Sequence, residues 1–144
     1  MKFIVKNKWL YYLLQFTWGS LMNAIGILVF LVLIIFGRKK PKRFHNNFYI
    51  VVSKNWGGLE LGCFFLIDKN ESDHTKYHES GHAIQNIIFG PLMLFIVSIP
   101  SAIRYQYRKF TPNKKHPAYD AIWFEGQATD FGYKYYKGSI IIGG

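Results

Sequence analysis

Hydrophobic residues are distributed unevenly along the chain, and the longest uncharged stretch lies near its beginning. Residues Trp9–Phe36 form 28 consecutive positions without Asp, Glu, Lys or Arg, whereas about 20 apolar residues suffice for a helix to cross a bilayer. The stretch is followed at Gly37 by the basic sequence RKKPKR, which is typical of an uncleaved membrane anchor. The pattern therefore predicts an N-terminal transmembrane helix within an anchor of residues 1–37 and a separate domain in residues 38–144.

Basic residues flank this predicted helix unequally. Fewer precede it than follow it: Lys2, Lys6 and Lys8 on one side, and Arg38, Lys39, Lys40, Lys42 and Arg43 on the other. Because basic residues near a span stay on the cytoplasmic side of the membrane, we expect a single-pass protein whose C-terminal domain is cytoplasmic.

The domain begins with a pattern typical of strands. Two runs rich in β-branched and aromatic residues, Phe48–Ser53 and Leu59–Ile67, are separated by the sequence KNWGG. Glycines of such a linker adopt the positive φ angles that tight turns require. We therefore expect the two runs to form a β-hairpin.

Helical patterns follow the strands. A polar loop from Asp68 precedes a helix that we expect to end near Phe89, where Gly90-Pro91 stops it. The apolar run Pro91–Ile103 has thirteen residues, too few to span a bilayer, and is interpreted either as a buried core helix or as a segment that dips into the cytoplasmic leaflet. A last helix is predicted over Tyr119–Tyr136. The predicted fold class is thus α+β.

Composition and charge narrow the possible functions. Half of the residues are hydrophobic, which excludes a disordered chain. The 18 Lys and Arg exceed the 8 Asp and Glu, giving a formal net charge of +10. Because the densest basic run adjoins the predicted anchor, we expect a bilayer with anionic head groups as partner and no nucleic acid. Cys63 is the only cysteine, so that a metal site would need His and carboxylate ligands.

One motif on the first helix of the predicted domain is typical of a metal-binding site. The sequence His78-Glu79-Ser80-Gly81-His82 is an HExxH motif, which places two imidazoles one helical turn apart where both reach one Zn²⁺. Glu79 lies beside them and is the expected general base for a metal-bound water. The alternative is a pair of histidines on an amphipathic helix that binds no metal.

A catalytic zinc site needs a third protein ligand. The acids downstream are Asp120, Glu125 and Asp130, of which Glu125 alone sits in mid-helix with the small neighbours Gly126 and Ala128. His74 extends the histidine row by one turn, but the ends of that row are about 12 Å apart, too far for one ion. We expect His74 to lie near the helix start and to support the site from outside the ligand set.

These residues resemble the gluzincin metallopeptidases, in which a glutamate on a later helix completes the HExxH site. The sequence Glu125-Gly-Gln-Ala128 matches the ExxA form of that pattern. The resemblance implies a zincin-like domain of hairpin, HExxH helix, short apolar helix and glutamate-bearing helix. It implies zinc as cofactor, held by His78, His82 and Glu125, with Asp130 as a residue that orients a histidine.

The order of the features along the chain is similar to that in an uncharacterised family of small bacterial membrane proteins with zincin-like signatures. This similarity implies location in the bacterial inner membrane. In gluzincins the strand nearest the HExxH helix binds substrate through its backbone, which would give Phe48–Ser53 or Leu59–Ile67 that role. Alternatively, the hairpin simply covers the helix.

The function predicted on this basis is that of a membrane-anchored zinc metallopeptidase acting on membrane-proximal peptides or proteins. The alternative is a non-catalytic membrane protein, with an adaptor or immunity role, whose metal site is structural or vestigial. Three residues are candidates for stabilising a tetrahedral intermediate, and spacing does not choose among Tyr119, His116 and Tyr133.

Overall fold

The computed structural model describes residues 1–53 and 57–137, and their architecture is α+β. The α-helices of the described residues are α1 (Lys2–Lys6), α2 (Lys8–Phe16), α3 (Ser20–Ile35), α4 (Asp73–Phe89), α5 (Ile99–Phe110) and α6 (Trp123–Gly132). The strands are β1 (Lys42–Phe44), β2 (Asn47–Ser53), β3 (Gly58–Leu61) and β4 (Phe64–Asp68). Short 3₁₀ or π turns lie at Gly90–Leu92, Leu94–Ser98, Tyr119–Ala121 and Tyr133–Lys137.

The four strands form one mixed sheet in the order β1-β2-β4-β3. The predicted hairpin between Phe48–Ser53 and Leu59–Ile67 is wrong, because β2 pairs in parallel with β4. The second run itself folds into a hairpin of β3 and β4, which turns at Gly62 with a positive φ of 76°. The linker expected to form the predicted turn lies mostly outside the described residues. Because β4 pairs with β2 on one side and with β3 on the other, β3 lies at the edge of the sheet.

Helices cover both faces of the sheet. On one face Ile50 and Leu66 pack against Phe30 of α3. On the other face Tyr49, Phe65 and Ile67 form a cluster with Phe44, and the ring of Phe44 contacts that of Tyr77 in α4 at 5.0 Å. Strand alternation therefore sends every second side chain towards α4.

The prediction of a single transmembrane helix over Trp9–Phe36 is wrong. This stretch folds into α2 and α3, which meet at an angle of 91°. Within residues 1–53 and 57–137, no single helix is both long enough and apolar enough to cross a membrane. Two bent pairs satisfy length and composition only when joined, Lys8–Phe16 with Ser20–Ile35 at 91° and Asp73–Leu92 with Leu94–Phe110 at 114°.

A buried network of side-chain amides explains why α2 and α3 are folded against each other. Asn23 donates to the Gln15 carbonyl oxygen at 2.6 Å and to its side-chain oxygen at 2.8 Å, and Asn86 of α4 donates to the same side-chain oxygen at 2.8 Å. Gln15 in turn donates to the carbonyl of Ala83 at 2.9 Å. Buried amides are costly without partners, and a straight helix would have separated Gln15 from Asn23. This "amide network" of Gln15, Asn23 and Asn86 joins the N-terminal helices to α4.

The segment after α4 differs from the predicted short apolar helix over Pro91–Ile103. It consists of two short turns that lead into α5, which continues to Phe110. Met93 and Val97 are buried in a core cluster with Met22 of α3, Leu61 of β3 and Phe124 of α6, whereas none of the twelve residues of α5 is buried. The segment is thus part core and part surface.

Candidate metal centre

The two helices that carry the motif residues, α4 and α6, cross at glycines. A methyl group at Gly81 would lie 1.7 Å from the carbonyl oxygen of Ala128, and one at Gly132 would lie 1.8 Å from that of Tyr77. No side chain fits at either contact. Gly126, the small residue next to Glu125, does not lie at this contact and instead faces the carbonyl of Asp120 in the preceding turn.

This close packing brings three predicted ligands together. The Nε2 atom of His78 lies 3.0 Å from Oε2 of Glu125, and that of His82 lies 3.6 Å from the same oxygen. All three residues are buried, and their nearest ligand atoms lie within 4.8 Å of one another. A buried His-His-Glu group that could hold a metal ion is therefore present.

A short relay of hydrogen bonds orients His78. Its Nδ1 atom lies 2.8 Å from the hydroxyl of Thr129, and that hydroxyl donates to Oδ2 of Asp120 at 2.8 Å. Because the hydroxyl proton is directed to the carboxylate, Nδ1 must carry the proton of the imidazole and donate it to Thr129. The Nε2 atom of neutral His78 is then a bare lone pair directed at Glu125.

An amide orients His82 in the same way. Its Nδ1 atom lies 2.7 Å from Oε1 of Gln85, whose Nε2 atom donates to the carbonyl of Phe124 at 2.8 Å and to Gln127 at 3.0 Å. An amide oxygen only accepts, so that Nδ1 of His82 is also the protonated nitrogen. The Nε2 atoms of both histidines are thus left to face Glu125, and each can hold either a proton or a metal ion there. Such outer partners are what metal-ligating histidines generally have.

The pKa values of the cluster reflect burial and mutual contact. Burial opposes ionisation of Glu125, but its close contacts with the His78 and His82 imidazoles outweigh burial and hold the pKa of its carboxyl well below the usual value. Burial likewise opposes ionisation of both imidazoles and lowers the pKa of His78. In His82 the contact with Glu125 and the nearby carboxyl of Glu79 prevail and raise the pKa to about 9. At neutral pH a proton therefore occupies the position that a metal would take.

A cleft gives access to the cluster. Two adjoining cavities of about 350 and 520 Å³ are lined by His82 and His78, respectively. Both are also lined by residues from four parts of the fold: Gly58 of β3, Glu79 of α4, Tyr105 of α5 and Tyr119 of the turn before α6. The cleft thus runs between the edge strand β3 and α5, and the largely buried Glu79 lines both of its halves.

Two acids in this cleft are held in unusual states. Burial raises the pKa of Glu79 to about 8, and the neighbouring carboxyls of Glu125 and Glu60 act in the same direction. Burial also raises the pKa of Glu60, on the same face of β3 as Gly58, to about 7. A methyl group at Gly58 would lie 2.6 Å from the Glu79 carboxyl, so that β3 and the motif are in direct contact.

The other residues predicted for the site do not belong to the His-His-Glu group. His74 is exposed and lies 2.9 Å from the hydroxyl of Tyr133, and it lines the half of the cleft that contains His78. Asp130 is exposed, and the acid that completes the relay from His78 is Asp120 instead. The Nε2 atom of His116 forms a hydrogen bond with the hydroxyl of Thr111 in the loop after α5, at 3.0 Å. Of the three candidates for stabilising an intermediate, Tyr119 is therefore the one that lines both halves of the cleft.

Several residues of the centre were missed from the sequence. Gln85 follows His82 by three positions and Thr129 follows Glu125 by four, spacings that place each pair on one helix face. Both were therefore detectable from helical spacing. Ser101 of α5, which donates to Oε1 of Glu125 at 2.7 Å, gives no such signal because only the packing of α5 brings it near.

Comparisons of the chain with models of known protein families, with curated proteins and with solved structures gave no significant match.

Proposed function

We propose that this chain is a zinc-dependent metallopeptidase in which His78, His82 and Glu125 bind the metal and Glu79 is the general base. The observation that carries the proposal is that the Nε2 atoms of both histidines lie within 3.6 Å of one buried carboxylate oxygen. Two imidazoles and one carboxylate, with a further position for water, are a ligand set typical of catalytic zinc. Ligand atoms about 2.1 Å from a tetrahedral metal are about 3.4 Å apart, close to the spacing around Glu125.

The cleft supports a catalytic role over a structural one. A structural zinc is enclosed by four protein ligands, whereas here both histidines line cavities that connect to solvent. When bound, zinc would polarise the substrate carbonyl and lower the pKa of its water. The charge of a bound zinc would also favour the ionised form of Glu79, which follows His78 directly and would then be positioned to accept the proton of that water and pass it to the leaving amine.

The walls of the cleft suggest how a peptide is held. Strand β3 is at the sheet edge, so that one side of its backbone is free of strand partners within the described residues. An extended peptide would add to this edge as a further strand. On the other side of the cleft, burial raises the pKa of Tyr119 to about 12, which keeps its hydroxyl protonated and able to donate to the oxyanion of a tetrahedral intermediate.

Two variants separate the enzyme from a protein with a structural or vestigial metal site. Glu79→Gln keeps all three ligands, so that we expect about one zinc per chain but hydrolysis of a fluorogenic peptide library lowered by about 10²- to 10⁴-fold. His82→Ala should lose both zinc and hydrolysis. Zinc content is measured by mass spectrometry after dialysis.

The outcomes differ between the two functions. If zinc-loaded wild type cleaves nothing that Glu79→Gln does not cleave equally, the site is not catalytic and the non-catalytic alternative holds. If His82→Ala retains its zinc, the His-His-Glu group is not the metal site.

A further inference from the structure

Helix α5 has two opposite faces. Ser101 and Tyr105 face the cleft, together with Ser98 just before the helix. On the other face Ile99, Ile103, Tyr107 and Phe110 are 42, 64, 53 and 77% exposed. Their spacing of four, four and three residues forms one continuous line along a helix. We call these four residues the α5 stripe.

The α5 stripe continues into neighbouring exposed apolar residues. Leu92 and Phe95 precede it and are 54 and 65% exposed. The segment that carries them packs on α3, because Met93 and Val97 share a core cluster with Met22. Further exposed apolar side chains lie on α3 itself, namely Leu21, Ile27, Leu28, Leu31, Val32, Ile34 and Ile35. Single exposed apolar residues are ordinary, but rows of them on two elements that pack together mark a binding face.

The charged side chains of α5 and of the loop that follows it are all basic. Residues 91–119 contain no Asp or Glu. They contain five basic residues, Arg104, Arg108, Lys109, Lys114 and Lys115. Arg104 and Arg108 are fixed beside the cleft by hydrogen bonds to the carbonyls of Tyr119 and Pro117. A second copy of this chain would bring like charges together, whereas an anionic surface would be attracted.

We propose that the α5 stripe and the exposed face of α3 bind the surface of a bilayer that contains anionic lipids. An amphipathic helix with apolar residues on one side and Arg and Lys beside them lies in the interface of such a bilayer, with the apolar side among the acyl chains. In α5, Tyr107 would lie at the depth of the head groups, where tyrosine is enriched in membrane-bound proteins.

The consequence for the metal centre follows from the position of α5, which forms both the lipid-facing surface and a wall of the cleft. A helix with its side chains is about 10 Å thick, so that the cleft lies about that distance from the head groups. The substrates are then peptide segments held at the membrane surface. This consequence rests on the proposed function, whereas lipid binding does not.

Binding is measured with the whole chain by flotation with vesicles of phosphatidylcholine and phosphatidylglycerol at three to one, and with vesicles of phosphatidylcholine alone. We expect binding to the anionic vesicles that weakens in high salt but persists. Phe110→Asp should lower the partition coefficient by about tenfold or more, because a charge replaces an aromatic ring that would lie among the acyl chains. Phe3→Asp is the matched control, since Phe3 of α1 is 70% exposed and lies outside the stripe.

Each outcome decides the proposal. Equal loss in Phe3→Asp and Phe110→Asp, or equal binding to both kinds of vesicle, would overturn it. A wild-type dimer in the absence of lipid that Phe110→Asp converts to a monomer would assign the stripe to a second copy. His82→Ala should bind vesicles like the wild type, so that failure of the metallopeptidase proposal and failure of lipid binding are observed separately.

Discussion

At the scale of single residues, the centre depends on which nitrogen of each histidine carries its proton. Thr129 and Gln85 accept from the Nδ1 atoms of His78 and His82 and leave both Nε2 atoms for a cation. A direct carboxylate partner would have placed a second negative charge near the metal. Here a neutral hydroxyl lies between His78 and Asp120, so that the negative charge acts from further away.

The hydroxyl of Thr129 is expected to contribute to metal affinity. Thr129→Val keeps the size of the side chain but leaves the Nδ1 proton of His78 without an acceptor, and loss of such a partner typically lowers metal affinity by about 10- to 100-fold. Thr129→Ser retains the hydroxyl and should bind nearly as tightly as the wild type. Competition with a chromophoric zinc chelator measures both. Equal affinity of the valine and serine variants would show that the relay has no role.

Metal binding should release a proton. The pKa of His82 is raised to about 9, so that at pH 7 zinc must displace the proton from its Nε2 atom. Apparent affinity should therefore rise by about tenfold per pH unit from pH 7 towards 9 and level off above it. Titration calorimetry in buffers of different ionisation enthalpy counts the released protons. A heat of binding that is the same in every buffer would contradict this.

The residue scale is also where the sequence was most informative. The spacing of His78 and His82 is local to one helix and could be interpreted without any knowledge of packing. Glu125 was singled out by its small neighbours and its position in a helix. The relay could not be assigned, because Asp120 is brought to Thr129 by the turn before α6 rather than by helical spacing.

At the scale of elements, the contact between α4 and α6 sets the position of Glu125. Gly81→Ala would force the two backbones apart by more than an ångström, since the new methyl group would otherwise lie 1.7 Å from the Ala128 carbonyl. We expect the free energy of unfolding to fall by about 1–3 kcal/mol or more and zinc affinity to fall with it. Denaturant unfolding and the chelator assay measure the two effects.

The neighbouring Ser80→Ala is the control for this substitution. It adds no atoms, and it removes a buried hydroxyl that has no hydrogen-bond partner among the residues the structure describes. Stability should be unchanged or slightly higher. A Gly81→Ala variant as stable as Ser80→Ala would mean that the helices adjust without cost.

The pairing of the strands could not be predicted from the sequence. The runs around β2 and β4 have equal apolar character, and alternation is the same for parallel and antiparallel partners. The tight turn at Gly62-Cys63 was hidden within the run Leu59–Ile67, because both of its flanks are hydrophobic. The helices were more predictable, since Gly90-Pro91 ends α4 where expected.

At the scale of the whole molecule, a bound metal would join α4 to α6. We expect zinc at 100 times its dissociation constant to add about 2.7 kcal/mol to the free energy of unfolding, and to raise Tm by roughly 5–10 °C. Calorimetric scans with zinc and with a chelator test this. His82→Ala should show the same Tm in both, and a zinc-dependent rise in that variant would place the metal elsewhere.

The uncharged composition of residues 9–36 led to the wrong prediction of a transmembrane helix for a physical reason. A stretch without charges satisfies a bilayer and a protein core equally well. The difference lies in Gln15 and Asn23, two side-chain amides within that stretch. In the structure they are fully buried donors and acceptors that fold α2 back onto α3 and α4.

The amide network has a practical consequence for protein engineering. Deleting an N-terminal anchor is a common way to obtain a soluble enzyme, and residue 37 would be the natural place to cut this chain. The cut would take away Gln15 and Asn23, the partners of Ala83 and of the Cys63 N–H. It would also strip α3 from one entire face of the sheet. A shortened chain beginning at Arg38 should therefore aggregate on expression, and the part of this protein that carries the candidate metal centre has to be produced together with residues 1–37.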